Sequence, residues 1–167
     1  VELSMSQGIT VSHNSIYDVP RAGINVSEGT WGGHIIAYND VFKTGKETGD
    51  HGPFNSWGRD RFWHPERIVM DRITTEEASL ILADAISTTV IHGNRFRCDR
   101  GWDIDLDDGS SNYHIYNNLC LTGGIKLREG FYRVVENNIL VNGTFHPHVW
   151  FKNSGDVFAR NIVMGKY

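Results

Sequence analysis

One short pattern occurs five times along this chain and constrains the fold more than any other feature. Each copy is a run of alternating apolar residues that ends in Asn, followed by one further residue and another apolar residue. The copies read ITVSHNSI, HIIAYNDV, TTVIHGNRF, YHIYNNL and YRVVENNI, with the Asn position at Asn14, Asn39, Asn94, Asn117 and Asn137. Because the spacings cluster in the low twenties, with one long exception, we predict a solenoid of stacked repeats.

The composition of the copies favours strands over a leucine-rich repeat, which has a similar length. The runs alternate with period two, are rich in Val, Ile and aromatic residues, and lead into further short runs separated by turn residues. We therefore predict an all-β fold, a right-handed parallel β-helix of about six coils with three short strands per coil. Residues 1–167 are expected to form one domain. A buried Asn at one corner of each coil would bond the copies above and below it, so we interpret these residues as structural.

The long gap between the second and third copies contains the one departure from strand patterning. In TTEEASLILADAI, Thr74 and Glu77 have the spacing of a capping box before an apolar helical face, which predicts an inserted α-helix near 74–86. The segment GDHGPFNSWGRDRFWHPER comes just before it and is dense in His, Trp, Arg and Asp. A long excursion of this composition indicates a functional loop.

Charge and hydropathy exclude some classes of partner. The formal net charge of −4 and the lack of a basic stripe argue against nucleic acid. No apolar stretch is long enough to span a bilayer, and no signal peptide is recognisable. Cys98 and Cys120 fall at non-equivalent positions of their coils, so a disulfide is not expected. The localisation stays open, with a secreted or periplasmic site favoured. The chain ends within a partial sixth copy, which predicts that it belongs to a longer parent chain.

The third strand of each coil carries the polar chemistry. Its segments read AGINVSEG, HGPFNSWG, GWDIDLDDG, GGIKLREG and PHVWFKNSG. In the third and fourth segments aliphatic residues alternate with charged ones, so period two sends the charges outward. The residues predicted on this outer face are Asn25, Ser27, Pro53, Asn55, Asp105, Asp107, Lys126, Arg128, Trp150 and Lys152.

Acidic residues cluster on this predicted face. Asp103, Asp105, Asp107 and Asp108 lie within six residues, and Glu129 follows one coil later. Neighbouring coils would place such carboxyl groups about 5 Å apart, as in retaining glycosidases, and longer diagonals would suit inverting ones. A ladder of ion pairs with Lys126 and Arg128 on a solvated face is the structural alternative. The density of acids favours function, since their mutual repulsion must be offset by cations, protons or a ligand.

Aromatic and His side chains near the same face suit a sugar ligand, because sugar rings present apolar faces that pack on aromatic planes. These side chains are Trp31, Trp57, Trp63, Trp102, Trp150, His51, His64, His146 and His148. No zinc-type spacing occurs, and no metal or other cofactor is expected. Calcium bound to the clustered acids is the one cofactor left open.

Four segments together carry a family resemblance: DHGPFNSWGRDRFW, GWDIDLDDGSSNY, GGIKLREGFYR and HPHVWFKNSGDV. They resemble the C-terminal half of right-handed parallel β-helix glycoside hydrolases, the group that includes β-helical β-xylosidases and α-L-fucosidase-like enzymes. The resemblance implies an Asp nucleophile or base and a carboxylic acid proton donor on the outer wall. It places these roles on the group from Asp105 to Asp108 and on Glu129.

The sequence therefore predicts a glycosidase of plant or microbial polysaccharides or oligosaccharides, with a carbohydrate as its partner. The predicted catalytic residues are Asp107, Glu129, Asp105 and Asp108. The predicted substrate-binding residues are His51, Asn55, Trp57, Lys126, Arg128, His148 and Trp150. Two rivals stay open: a polysaccharide lyase in which Lys126 or Arg128 removes a proton beside a Ca²⁺-bound uronate, and a non-catalytic module that only holds glycan.

Overall fold

The computed structural model describes residues 1–27, 31–58 and 61–165, so two residues of the segment GDHGPFNSWGRDRFWHPER lie outside the described residues. The strands, in chain order, are β1 (Glu2–Leu3), β2 (Thr10–Ser12), β3 (Ser15–Tyr17), β4 (Ile24–Val26), β5 (Ile35–Ala37), β6 (Asp40–Phe42), β7 (Phe54–Ser56), β8 (Thr89–His92), β9 (Arg95–Arg97), β10 (Ile104–Leu106), β11 (Tyr113–Tyr116), β12 (Leu119–Cys120), β13 (Gly124–Leu127), β14 (Arg133–Glu136), β15 (Ile139–Leu140), β16 (Thr144–Pro147), β17 (Val157–Ala159) and β18 (Ile162–Val163).

Three parallel sheets form the walls of a β-solenoid. The first sheet has the order β1-β4-β7-β10-β13-β16, the second β2-β5-β8-β11-β14-β17 and the third β3-β6-β9-β12-β15-β18. Every strand pairs in parallel with its counterpart one coil away. This architecture confirms the predicted parallel β-helix with three strands per coil. In the described ranges each sheet contains six strands, and the solenoid makes about seven turns, close to the six coils predicted.

Apolar side chains from all three sheets fill the interior. Ile104 and Ile125 of the first sheet, Ile91 and Ile115 of the second and Phe96 of the third are each 0% exposed. They belong to one continuous hydrophobic cluster along the solenoid. Full burial of one such side chain contributes about 1.5–3 kcal/mol relative to its exposure. The alternation of apolar and polar residues thus determines which side of each strand faces inward.

A ladder of Asn side chains runs along the corner between the second and third sheets. Each Nδ2 donates to the Oδ1 of the next Asn at 3.0 Å, through Asn14, Asn39, Asn94, Asn118, Asn138 and Asn161. The same Oδ1 atoms also accept the backbone N–H groups of the preceding ladder residues at 2.9–3.0 Å. The predicted structural ladder is confirmed for the first three positions. The prediction was wrong for Asn117 and Asn137, each of which precedes the ladder residue by one position.

The residue before each ladder Asn has a left-handed backbone conformation. These residues are His13, Tyr38, Gly93, Asn117, Asn137 and Arg160, with φ between 54° and 66°. Asn117 and Asn137 are suited to this position, because Asn tolerates a positive φ better than most residues do. In the NNL and NNI segments the first Asn therefore sets the backbone turn and the second forms the ladder.

The inserted helix lies earlier in the sequence than predicted. Helix α1 spans Arg67–Glu76, and a 3₁₀ helix follows at Ala78–Leu82. Thr74 is in the last turn of α1, where its Oγ1 donates to the carbonyl of Met70 at 2.8 Å, so it is not an N-cap. Met70 and Ile81 pack with Phe62, Phe131 and Phe151 in a second hydrophobic cluster. This cluster attaches the insertion to loops that follow β13 and β16.

Candidate functional site

The outer face of the first sheet brings the predicted polar residues into two columns. Strand pairing sets Asn25, Asn55, Asp105, Lys126 and His146 side by side on successive strands, which defines the first column. Backbone hydrogen bonds continue the sheet by one residue, so the second column contains Ser27, Trp57, Asp107, Arg128 and His148. The predicted alternation holds here, because Ile104 and Leu106 belong to the core whereas Asp105 and Asp107 alternate with them and lie on the other side of the strand. We call these two columns the polar wall.

Trp150 is not part of the polar wall, and the same correction applies to Lys152. Strand β16 ends at Pro147 and places His146 opposite Lys126, four residues before the predicted position. The Trp150 ring instead packs edge-on against Phe145, with ring centroids 6.1 Å apart, at the border of the core. Its carbonyl accepts a hydrogen bond from Arg67 of α1 at 2.6 Å. Trp150 therefore connects the helix to the solenoid.

Lys126 connects two acids of the polar wall. Its ammonium nitrogen lies 2.8 Å from Oδ1 of Asp105 and 3.4 Å from Oδ1 of Asp107. The Asp105 side chain is 0% exposed, whereas that of Asp107 is 17% exposed. Asp107 is thus the member of this pair that solvent or a ligand can reach.

Arg128 also contacts Asp107 and connects it to two further acids, Asp108 and Glu129. Its guanidinium lies 3.3 Å from Oδ1 of Asp107, 3.4 Å from Oδ1 of Asp108 and 2.7 Å from Oε2 of Glu129. The Glu129 side chain is only 4% exposed. Asp107 and Glu129 are therefore on the same side of the molecule, bridged by one guanidinium. This placement agrees with the predicted shared flank.

Burial changes the proton affinity of two of these carboxyl groups. Desolvation raises the pKa of Asp105 to about 7, although the neighbouring ammonium of Lys126 opposes this effect. Desolvation also raises the pKa of Glu129, with Arg128 acting against it and the negative charge of Asp108 adding to it. A carboxyl group that holds its proton near neutral pH can act as a general acid.

Asp103 has a structural role, although the sequence grouped it with the acid cluster. It is fully buried and accepts the backbone N–H groups of Cys98, Thr122, Gly123 and Gly124 at 2.6–3.1 Å. Burial raises its pKa to about 6, while these four hydrogen bonds act to lower it. The carboxylate thus holds together the turns that precede β10 and β13.

An aromatic shelf lies at the far end of the polar wall, formed by Trp102, His146 and His148. The Trp102 and His146 rings stack with centroids 4.9 Å apart, and the two His rings stack at 5.3 Å. Burial and the nearby charge of Arg128 lower the pKa of His148, which favours its neutral form. The sequence singled out all three residues, but their stacking required the register of β16.

A cleft of about 410 Å³ opens beside the acids, over the first three strands of the sheet. Its lining includes the predicted residues His51 and Trp57 together with Glu2, Arg21, Asn25 and Ser27. Asn55 lies beneath this region, 2% exposed, and donates to Oδ1 of Asn25 at 2.7 Å. Glu2 and Arg21 were not among the residues predicted from the sequence. Arg21 was detectable in principle, because it precedes β4 by the same three residues by which His51 precedes β7.

The described residues contain no group of three or more His, Cys, Asp or Glu side chains placed to hold a metal ion. The acids that calcium would need contact Lys126 and Arg128 instead. Both cysteines are buried and free. Within the described ranges, none of the helical segments has the length and apolar character to cross a membrane.

Comparison with known proteins finds no matching family model, no matching curated protein and no matching solved structure. The parallel β-solenoid and the geometry of the polar wall therefore carry the functional argument. The resemblance to β-helical glycoside hydrolases stays a prediction.

Proposed function

We propose that the protein is a glycoside hydrolase that cleaves plant or microbial polysaccharide or oligosaccharide with the acids of the polar wall. The observation that carries this proposal is the relation of Asp107 to its neighbours. Asp107 is partly exposed between Lys126 and Arg128, and buried carboxyl groups with raised pKa values lie on both sides of it. Most glycosidases place a reactive carboxyl group, as nucleophile or base, near a second carboxyl group that donates a proton.

In the proposed reaction Asp107 attacks the anomeric carbon or activates a water molecule. Glu129 donates a proton to the leaving oxygen, and Asp105 is the second candidate for that role, because burial raises the pKa of both groups. Asp108 contributes negative charge next to Glu129, which favours the protonated form of Glu129.

The surroundings of Asp107 suit a sugar ring. Trp57 precedes Asp107 by one strand in the second column, and Arg128 and His148 follow it. An apolar ring face packs on an aromatic side chain, while hydroxyl groups bond the cationic and imidazole groups. His51 extends this surface into the cleft. In this proposal Trp102 and His146 have the substrate-binding role that was predicted from the sequence for Trp150.

A panel of nitrophenyl glycosides tests the proposal on the full-length protein. Turnover of at least one of these glycosides is expected, and Asp107→Ala and Glu129→Ala should each lower it by orders of magnitude. The anomer of the first product, read by NMR, distinguishes a retaining from an inverting reaction. Unchanged turnover in either variant would remove that residue from the mechanism.

A non-catalytic glycan-binding module is the second candidate, favoured by the ion pairs of Asp105, Asp107 and Glu129 with Lys126 and Arg128. Such pairs neutralise the acids without any reaction. Glycan binding with no product formed by the full-length protein would select this candidate. A lyase that uses Lys126 or Arg128 as its base would instead release an unsaturated, ultraviolet-absorbing product.

A further inference from the structure

Among the residues that the structure describes, the cleft beside the acids has one cationic side chain without a carboxylate partner, that of Arg21. Arg21 forms no ion pair with any described residue, and its guanidinium makes a hydrogen bond to the Nε2 atom of His51, at 2.8 Å. Since a guanidinium is always protonated, Nε2 of His51 must be the acceptor in this contact. Arg21 is exposed to solvent at the mouth of the cleft, so its remaining N–H groups are available to a ligand.

The acidic residues of the cleft are already engaged. Glu2 accepts the amide of Asn25 at 2.9 Å and the hydroxyl of Ser27 at 2.5 Å, which satisfies both of its carboxylate oxygens. Asp50 lies on the opposite side of the His51 ring from Arg21, with Oδ1 2.8 Å from Nδ1, and is largely exposed. Neither acid is paired with Arg21, although both weaken its attraction for an anion.

The position of Arg21 relates it to the proposed reaction centre. It shares the cleft with Trp57, and Trp57 is the neighbour of Asp107 in the second column. Adjacent strands are about 4.8 Å apart, so a ligand in the cleft lies about one or two sugar rings from Asp107. The volume of about 410 Å³ is within the range of small-ligand pockets.

We propose that this cleft is a subsite for an acidic sugar unit, whose anionic group pairs with Arg21 while its ring packs on Trp57. A guanidinium binds a carboxylate with two parallel hydrogen bonds, and a sulfate ester presents similar oxygens. The inference rests on the proposed glycan-binding wall and adds the class of sugar recognised next to the acids. His51, which now accepts from Arg21, is released to bond a sugar hydroxyl when the anion takes its place.

Binding is tested without turnover, by NMR titration with monosaccharides. The probes are D-galacturonate and D-glucuronate, galactose 6-sulfate, neutral galactose and glucose, and acetate as the anion alone. Trp57→Phe identifies the Trp57 indole signal. We expect the acidic sugars to shift the signals of Trp57 and His51, more strongly than the neutral sugars or acetate do, and the affinity to fall as NaCl increases. Comparing the carboxylate with the sulfate probes distinguishes the two anionic groups.

The matched variants are Arg21→Gln and Arg97→Gln. Arg97 is an exposed arginine of the third sheet, paired with Asp99 at 2.8 Å and remote from the cleft. Arg21→Gln is expected to weaken binding of the acidic sugar at least tenfold, and Arg97→Gln to leave it unchanged. Equal binding of neutral and acidic sugars, or an unchanged affinity in Arg21→Gln, would overturn the inference. Binding that depends on Arg21 in a protein without turnover would preserve the subsite and refute the proposed hydrolase.

Discussion

The ammonium group of Lys126 lies 2.8 Å from a carboxylate oxygen of Asp105, and neither side chain is more than 9% exposed. Burial nevertheless outweighs this attraction and raises the pKa of Asp105 to about 7. The folded protein therefore retains a proton that the unfolded chain releases near its ordinary pKa of about 4. This difference links the stability of the solenoid to pH.

Asp105 should make the protein less stable as the pH rises from about 4 to about 7. In this interval the folded state binds more protons at Asp105 than the unfolded state does, so the free energy of unfolding falls with pH. Asp105→Asn removes this contribution. The unfolding free energy of the variant minus that of the wild type should therefore increase by roughly 2–4 kcal/mol as the pH rises from about 4 to about 7. Urea denaturation at pH 4, 5.5 and 7 measures the difference.

The control for this prediction is Asp99→Asn, which changes a carboxylate that is 48% exposed in its side chain. Its stability should run parallel to that of the wild type over the same pH range. Parallel curves for Asp105→Asn as well would show that the proton is not held by Asp105.

The proton donor can be identified by the dependence of turnover on the leaving group. If Glu129 is the general acid, Glu129→Gln should lower turnover of a poor leaving group about 10²–10⁴-fold. The same variant should be far less impaired on a dinitrophenyl glycoside, whose leaving group needs no protonation. Asp107→Asn should be impaired on both substrates.

The matched comparison for the donor is Asp105→Asn. A selective loss on poor leaving groups in Asp105→Asn, with equal losses on both substrates in Glu129→Gln, would move the role of proton donor to Asp105. Steady-state kinetics with the two substrates settles the assignment.

The buried pair of Arg133 and Asp156 should be essential for stability. Arg133 is 1% exposed and donates to Asp156 from Nε at 2.9 Å and from Nη2 at 2.5 Å. It also donates to the carbonyl oxygens of Arg128 and Gly130, on either side of Glu129. Asp156→Ala leaves this guanidinium buried without its partner and should cost about 3–5 kcal/mol of unfolding free energy.

The exposed pair of Arg95 and Asp40 provides the control, with a distance of 2.6 Å between Nη2 and Oδ2. Asp40→Ala should cost no more than about 1 kcal/mol, because solvent screens this pair. Similar losses of stability in the two variants would show that the burial of Arg133 has no special effect.

The ladder predicts that substitution of two adjacent asparagines has very different effects on stability. Asn118 donates to Asn138 Oδ1 and to the carbonyl of Ile91, and its Oδ1 accepts two N–H groups of Asn94. Asn118→Ala leaves these buried groups without partners and should cost about 2 kcal/mol or more. Chemical denaturation measures the loss.

Asn117→Gly is the matched substitution at the neighbouring position. Asn117 has φ of 55°, which Gly adopts without strain, so stability should change by less than about 1 kcal/mol. A larger loss in Asn117→Gly than in Asn118→Ala would restore the assignment made from the sequence.

The fold was predictable because its repeat is visible in the sequence, whereas the exact register was not. The repeat is an Asn, one further residue and then an apolar residue. Around YNNL this pattern fits Asn117 followed by Leu119 as well as it fits Asn118 followed by Cys120. Only the pairing of Leu119 with Arg95 and of Cys120 with Phe96 shows that Leu119 faces outward and Cys120 faces the core. Outward positions of a strand tolerate apolar residues, so period two alone does not decide the register.

The predicted positions of the helix and of the third strand in the last coil were also wrong, because local residue types fit more than one position. Thr74 and Thr75 have the residue types of an N-terminal cap, but their hydroxyl groups bond the carbonyls of Met70 and Asp71 in the last turn of α1. In the last coil Gly155 lies farther from the end of β16 than Gly130 lies from the end of β13. Alignment of the coils on this glycine therefore predicted Trp150 at the position on the polar wall that His146 occupies. The expected pairing of Asp105 with Lys126 is present because β10 and β13 align without any insertion.

The left-handed corner before each ladder asparagine accepts His, Tyr, Gly, Asn and Arg with nearly the same φ. Neighbouring coils therefore impose the shape of this corner, and the local side chain contributes little to it. The solenoid thus has an edge along which residues recur about every 4.8 Å and can be exchanged with little effect on the backbone. Dyes, spin labels or immobilising groups attached there would be regularly spaced along the corner between the second and third sheets, whereas the polar wall lies on the first sheet.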